Sequence, residues 1–432
     1  YAAVVGRTVP TAAVRSGALN SRTALRTHRA PIRAVVSSAE AEMKTVPLHV
    51  GFVGTGLIGK ATLKQVGAHA PSLLATGGLD LRIAACADSK HMILASSADG
   101  MNPDAVDAAV GDRAVAEWDA GALAAETPVA ADLDALVAKI VAFARADPDA
   151  AAVIVDNTSS DAVADRYGEW LARGVHVVTP NKKANSGDLV RFQRFRASAD
   201  ESGAKWLYEG TIGAGLPVVS TLRTLRASGD RVRSVQGIFS GTMSFLFNTW
   251  DPGAGQPFSD VVLAAKKAGY TEPDPRDDLN GLDVARKVVI AARESGVDLA
   301  LDDVDVQSLV PAELEDCDVA EYERRLPEFD GVIAEQQAAA AAEGKVLRFV
   351  GKVDAEKGTG SVELAKFDAS HPFAGLQGAD NILEISTARY SDEMSSTPLI
   401  IRGPGAGAQV TAGGVFGDLC KLGAVLGARV PV

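Results

Sequence analysis

Cysteine is scarce: the 432 residues hold only Cys86, Cys317 and Cys420, an odd number with no CxxC pair. That excludes a disulfide framework and a zinc knuckle, and it fits reduced thiols. Long uncharged apolar runs are also missing. No stretch of about 18 apolar residues lacks a charge, so nothing reads as a membrane-spanning helix. Positive charge is not in excess: 43 Lys+Arg against 55 Asp+Glu give a net charge of -12. A nucleic-acid partner would call for a basic face. Hydrophobic residues at 47% and charged residues at 23% support a sizeable core. At roughly 100–200 residues per domain the length allows two or three domains.

A further absence is local. From Tyr1 to Ala39 there is neither an acid nor a lysine, while Arg7, Arg15, Arg22, Arg26, Arg29 and Arg33 supply the charge among Ser, Thr and Ala. This is the composition of an organellar transit peptide. Residues 1–45 are therefore read as a transit peptide or disordered leader and set apart from the fold.

The rest of the chain is patterned. Leu48 to Val53 reads as a buried strand that runs into Gly54-Thr55-Gly56-Leu57-Ile58-Gly59 and then a helical stretch. A GxGxxG alone is weak, but strand, GxGxxG and helix in sequence make a dinucleotide fingerprint. The glycines serve the tight turn, the approach of a pyrophosphate and helix–strand packing, and the helix N-terminus receives the anion. Leu79 to Ala87 reads as the second strand, followed by Asp88-Ser89-Lys90. Asp88 would bond a ribose hydroxyl and favour NAD. Ser89 and Lys90 would instead suit the 2′-phosphate of NADP, and Asp88 also fits a plain turn residue. The stretch from Asp99 to Asp147 looks helical. Another buried strand, Ala151 to Val155, ends in Asp156-Asn157-Thr158-Ser159-Ser160. Thr158 and Ser159 sit where small polar side chains suit the nicotinamide end of a cofactor, or cap a helix.

The second half opens with Glu209 to Pro217, a glycine-rich crossing segment, and a strand from Val232 to Phe239 before Ser240-Gly241-Thr242. The most informative stretch runs from Glu272 to Lys287. Glu272, Asp274, Asp277 and Asp278 crowd a loop held out of helix by two prolines, Asn280 can cap the next helix, and Asp283 and Lys287 lie four apart on it. On spacing alone a solvated loop with a surface ion pair is the stronger reading. Four alternating segments between Lys345 and Arg402 suggest an antiparallel sheet, and a helix is expected from Val410 to Leu422.

Together these motifs closely resemble homoserine dehydrogenases. The matching pieces are the fingerprint at Gly54–Gly59, Asp156 to Ser160, Thr179-Pro180-Asn181-Lys182-Lys183-Ala184, Glu209 to Pro217, Ser240 to Thr242, Glu272 to Lys287 and Gly403 to Gly407. They stand in the family's order and cover nearly everything from Leu48 onward. The resemblance implies an α/β protein: a Rossmann-type dinucleotide-binding domain over residues 46–207, completed by 403–432, and an α+β catalytic and dimerisation domain over 208–402 with a mostly antiparallel sheet. It implies reduction of L-aspartate 4-semialdehyde to L-homoserine with NADPH or NADH, on the route to threonine, methionine and isoleucine. Lys287 would carry the proton, Asp283 would sit beside it on the substrate, and Glu272 and Asp278 would hold the substrate ammonium. Lys183 would lie between cofactor and substrate. Gly54, Thr55, Gly56, Leu57, Ile58, Gly59, Asp88, Ser89, Lys90, Thr158, Ser159 and Gly407 would contact the cofactor. A monovalent cation such as sodium would rest on backbone oxygens of Glu209, Ile212, Ala214 and Leu216. A homodimer is implied as well.

No kinase-sized region precedes Leu48 and no regulatory domain follows the last helix, so the expectation is a monofunctional, organellar enzyme of plant or algal type, in the plastid, with the mitochondrion as the alternative address. Two other readings are weighed against this one. An aspartate-semialdehyde dehydrogenase would need a nucleophilic cysteine, and none of the three has such a setting. An inactive dinucleotide-binding scaffold would have no reason to keep Lys183, Glu272, Asp283 and Lys287 together.

Overall fold

All eight side chains of the first strand, Val46–Val53, are buried. A strand covered on both faces belongs to the middle of a parallel sheet with helices on either side. The computed structural model describes residues 44–109, 114–250, 252–390 and 397–431. The Arg-rich segment lies outside them.

The first sheet has seven strands: β1 (Val46–Val53), β2 (Leu79–Ala87), β3 (His91–Leu94), β4 (Val129–Ala130), β5 (Ala151–Asp156), β6 (His176–Val178) and β7 (Trp206–Leu207). Their order is β4-β3-β2-β1-β5-β6-β7. From β2 to β7 the neighbours run parallel. β3 and β4 break the pattern and pair antiparallel. The Asp88–Lys90 turn between β2 and β3 is too short for the crossover that a parallel neighbour needs. The helical reading of Asp99 to Asp147 is corrected here. Among the described residues the stretch holds helices at Pro103–Ala109, Ala120–Leu123 and Leu133–Arg145, with β4 between the last two. Pro128, just before β4, cannot continue a helix.

The second sheet has six strands: β8 (Val232–Ile238), β9 (Val304–Val306), β10 (Lys345–Asp354), β11 (Thr359–Asp368), β12 (Asp380–Thr387) and β13 (Leu399–Pro404), in the order β13-β12-β8-β10-β11-β9. All pairs are antiparallel except β9 with β11. Rossmann-like sheet and mostly antiparallel sheet thus stand as the sequence pattern predicts.

One helix, Leu282–Ser295, crosses the second sheet and carries Asp283 and Lys287. It comes close because β10 offers a glycine beneath it. A Cβ at Gly351 would lie 2.6 Å from Val288 Cγ2 and 2.7 Å from Phe239 Cδ2. Arg293, near the end of this helix, donates to the carbonyls of Asn185 (2.7 Å), Gly187 (2.8 Å) and Leu299 (3.1 Å). The helix is thereby tied to the turn that follows β6. The last helix, Ala408–Val425, returns to the first sheet. Val415, Leu419 and Leu422 join a core with Leu63, Val66 and Leu79. Among the described residues no helix is long and apolar enough to cross a membrane.

Candidate active site

The carboxyl ends of β1, β5 and β6 lie side by side, and ligands of open α/β sheets bind there. At the end of β1, Gly54 has φ 89°, a left-handed conformation that favours glycine. A Cβ on Gly59 would fall 2.0 Å from the Gly54 carbonyl oxygen, so only glycine lets the helix Leu57–Gly77 start here. A Cβ on Gly56 would meet nothing within 4 Å. That open side, at the N-terminus of the helix, is where a pyrophosphate can approach. Thr55 is buried and Leu57 is exposed.

At the end of β5, the buried Asp156 carboxylate accepts from Thr158 N (2.8 Å), from the Tyr167 hydroxyl and from Asn181 Nδ2 (3.0 Å). Burial pushes its carboxyl up, against the pull of these donors. The network clamps the loop after β5 to the loop after β6. Beside it, both polar atoms of the Asn157 side chain are buried and have no hydrogen-bond partner. An unpaired buried amide is costly, and a bound carboxamide or ribose would supply what it lacks.

Asp88 behaves as a turn residue. Its carboxylate accepts from the N–H groups of Lys90 (2.7 Å), His91 (2.7 Å) and Val115 (3.0 Å). Partial burial pushes its carboxyl up, but the three N–H donors and nearby His91 outweigh that and hold it below the usual carboxylate range. Ser89 and Lys90 are exposed. A cavity of ≈ 480 Å³ is lined by Gly54, Asp88, Ser89, Thr158 and Ser159, among others.

A larger cleft of ≈ 810 Å³ shares Thr158 and Ser159 with that cavity. Leu57, Ile58, Asn157, Lys182 and Lys183 line it on one side. Glu272, Asp277, Asp283, Arg286 and Lys287 line it on the other, with Gly405 and Gly407 at the rim. Lys287 is buried, and its ammonium lies 2.7 Å from Asp283 Oδ2 and donates to the Phe239 carbonyl at 2.8 Å. Asp283 Oδ1 in turn meets Lys182 Nζ at 3.2 Å. Burial pushes Lys287 below the ordinary lysine range; Asp283 opposes this and Lys182 adds to it. For Asp283, burial favours the neutral acid, but the two lysines win and hold its carboxyl far below the usual range.

Of the expected residues, Lys183, Glu272, Asp283 and Lys287 line this cleft, and Asp278 is not among those that line it. Lys183 lines the cleft, but its ammonium pairs with Asp161 Oδ2 at 3.0 Å. The lysine that reaches Asp283 is its neighbour Lys182. Asp278 is expected on the substrate, yet Oδ1 accepts from the Thr242 hydroxyl and Oδ2 from Glu272 N, each at 2.8 Å. It holds the acidic loop in shape, while Asp277 lines the cleft. Burial pushes the Asp278 carboxyl up. Asn280 is expected to cap the next helix, but the cap position is Gly281, which has no side chain to bond; Asn280 Oδ1 instead accepts from Leu282 N at 2.9 Å, two residues on, as an Asx turn. None of the cysteines lines the cleft, and burial raises Cys420 to about 11.

Glu209 begins a tight turn, Glu209–Thr211, against the last helix. Its carboxylate accepts from Val219 N (2.8 Å) and pairs with Lys421 (2.8 Å). Ala214 has φ 57°, and the Leu216 carbonyl accepts from Val218 N at 2.8 Å. Among the described residues no group of three or more His, Cys, Asp or Glu side chains could hold a metal ion.

Comparison with known proteins agrees with this geometry. The family model described as "Homoserine dehydrogenase, NAD binding domain" matches residues 54–209, and the one described as "Homoserine dehydrogenase" matches 217–420. Homoserine dehydrogenase of Schizosaccharomyces pombe is 40% identical over 87% of this chain and 95% of its own length. The chloroplastic bifunctional aspartokinase/homoserine dehydrogenase 1 of Zea mays is 46% identical over 88% of this chain. The chain spans only 39% of that plant relative's length. A hyperthermophilic archaeal homoserine dehydrogenase solved in complex with NADPH shares the fold, with a TM-score of 0.64 at 20% identity, covering 89% of this chain and 100% of that one.

Proposed function

Because the chain belongs to the homoserine dehydrogenase family, we propose that it reduces L-aspartate 4-semialdehyde to L-homoserine with a nicotinamide cofactor, a step of amino-acid biosynthesis. The observation that carries this reading is Asp283 shared between Lys287 and Lys182, in a cleft floored by the dinucleotide loops. The nicotinamide supplies the hydride. As charge develops on the aldehyde oxygen, the Lys287 ammonium stabilises it and then gives up its proton. Asp283 aims and charges Lys287, and Lys182 lends a second positive charge. Glu272, with Asp277 beside it and Asp278 bracing the loop, would receive the substrate ammonium. Lys183 would stand at the cofactor side of the cleft.

The residues fit a dinucleotide: the open face of Gly56, the unpartnered Asn157 amide, and Thr158 and Ser159 between the two cavities. Asp88 is committed to the turn, which favours NADP, with Ser89 and Lys90 toward the 2′-phosphate. Initial rates of L-homoserine oxidation with NADP and with NAD test both points. Homoserine-dependent turnover, faster with NADP, is expected. A folded protein that binds NADPH but turns nothing over would be the inactive scaffold instead. Lys90→Ala is expected to raise KM for NADP about tenfold and leave KM for NAD alone, as loss of one exposed phosphate contact should. Equal effects on both cofactors would remove Lys90 from the phosphate site.

The same reading divides the described chain into a dinucleotide domain, residues 46–207 with the last helix, and a substrate and dimerisation domain between them. Backbone oxygens of Glu209, Ile212, Ala214 and Leu216, in the segment that follows β7, would hold a weakly bound monovalent cation such as sodium. The Glu209 carboxylate is turned to Lys421 and backbone donors. A homodimer would use the second sheet, where β13 is an edge strand with Ile400 exposed. The acid-free, Arg-rich start and the chloroplastic plant relatives support a plastid address.

A further inference from the structure

Four cationic side chains line the cleft: Lys182, Lys183, Arg286 and Lys287. Three are paired with carboxylates, Lys182 and Lys287 with Asp283 and Lys183 with Asp161. Among the described residues Arg286 pairs with none. It stands three residues after Asp283 on the helix Leu282–Ser295, near enough for an ion pair. Asp283 is not available to it, since one oxygen faces Lys287 and the other Lys182. The guanidinium keeps only a long contact, 3.4 Å, to the Ser186 hydroxyl. Glu272 and Asp277 line the same cleft, and among the described residues neither pairs with a cation. The cleft thus presents one uncommitted guanidinium and two uncommitted carboxylates.

That set complements a zwitterion. An α-amino-acid head carries one ammonium and one carboxylate. The acids can take only the first, and a carboxylate entering a half-buried cleft needs its own counter-charge. We propose that Arg286 receives the α-carboxylate of the amino-acid substrate and makes the site specific for substrates that carry one. The proposal rests on the reading of the chain as a homoserine dehydrogenase. Arginine suits the task because its planar fork can donate two parallel hydrogen bonds to one carboxylate. The other anion in the cleft would be a cofactor phosphate. The pyrophosphate, however, has its place at the N-terminus of the helix Leu57–Gly77.

Steady-state rates of the full chain distinguish the two. In Arg286→Gln, KM for L-homoserine is expected to rise about 30-fold or more, with kcat at saturation within about threefold of the wild type and KM for NADP unchanged. Arg286→Lys should recover part of the loss, since it restores the charge without the fork. 3-Aminopropan-1-ol, which is homoserine without its carboxylate, should be a poor substrate of the wild type and no poorer for Arg286→Gln. An unchanged KM for homoserine overturns the assignment. A raised KM for NADP instead assigns the guanidinium to the cofactor and overturns it equally. Absence of homoserine turnover in the wild type, read in the same assay, overturns the function and this assignment together. Turnover in the wild type with no KM change in the variant overturns this assignment alone.

Discussion

Replacing Lys287 by alanine is expected to lower kcat for homoserine oxidation about 10³-fold, within the usual range for loss of a positioned acid–base group. NADPH affinity, read by fluorescence titration, should change less than about threefold, because the proposed role puts the lysine on the substrate oxygen. Wild-type-like kcat in this variant would reject the role. The pH dependence gives the same lysine a second test. Oxidation needs the neutral amine as base, so kcat/KM for homoserine should rise with pH through the Lys287 pKa. Reduction needs the ammonium and should fall through the same pKa. Burial, reinforced by Lys182 and opposed by Asp283, places that limb below the ordinary lysine value of about 10.4. Asp283→Asn removes the charge that holds the proton on Lys287, so the limb should move to lower pH. A limb that stays in place or moves up would mean that Asp283 does not set the basicity of Lys287.

Gly59→Ala should all but abolish cofactor binding. Its new methyl would fall 2.0 Å from the Gly54 carbonyl oxygen. Backbone atoms cannot step aside as a flexible side chain can, so the loop must distort at a cost of about 3 kcal/mol, or roughly 100-fold in Kd for NADPH. The strain exists without cofactor, so Tm should fall as well. Gly56→Ala is the control. Its methyl would meet nothing within 4 Å, so Tm should hold while the approach of the pyrophosphate is blocked. If the two variants lose affinity with the same Tm, the division of labour among these glycines is wrong.

How far the sequence could be read depends on what each signal measures. Burial and periodicity placed Leu79–Ala87 to the residue, and they found the helix that carries Asp283 and Lys287. Helical spacing also put those two side chains together, where they lie 2.7 Å apart. The choice between Lys182 and Lys183 was not legible. Lys182 precedes and Lys183 opens a one-turn helix, Lys183–Ser186, too short for a period to say which side chain reaches Asp283. Asp277 and Asp278 pose the same problem in a one-turn helix, Arg276–Leu279. Their difference lies in a hydroxyl 36 residues away along the chain, on Thr242. Antiparallel β3 and β4 were missed for another reason. Four and two residues are too few for alternation to show.

The Arg293 contacts bear on modularity. One guanidinium from the substrate half satisfies the carbonyls of Asn185 and Gly187 in the dinucleotide half. Cut between the halves, the chain would lose the donor for both, just after the two lysines of the cleft. The dinucleotide half is therefore not a cassette that could be lifted out or grafted with its lysine turn intact. Evolution of one half is constrained by the other through a residue that lines no part of the cleft.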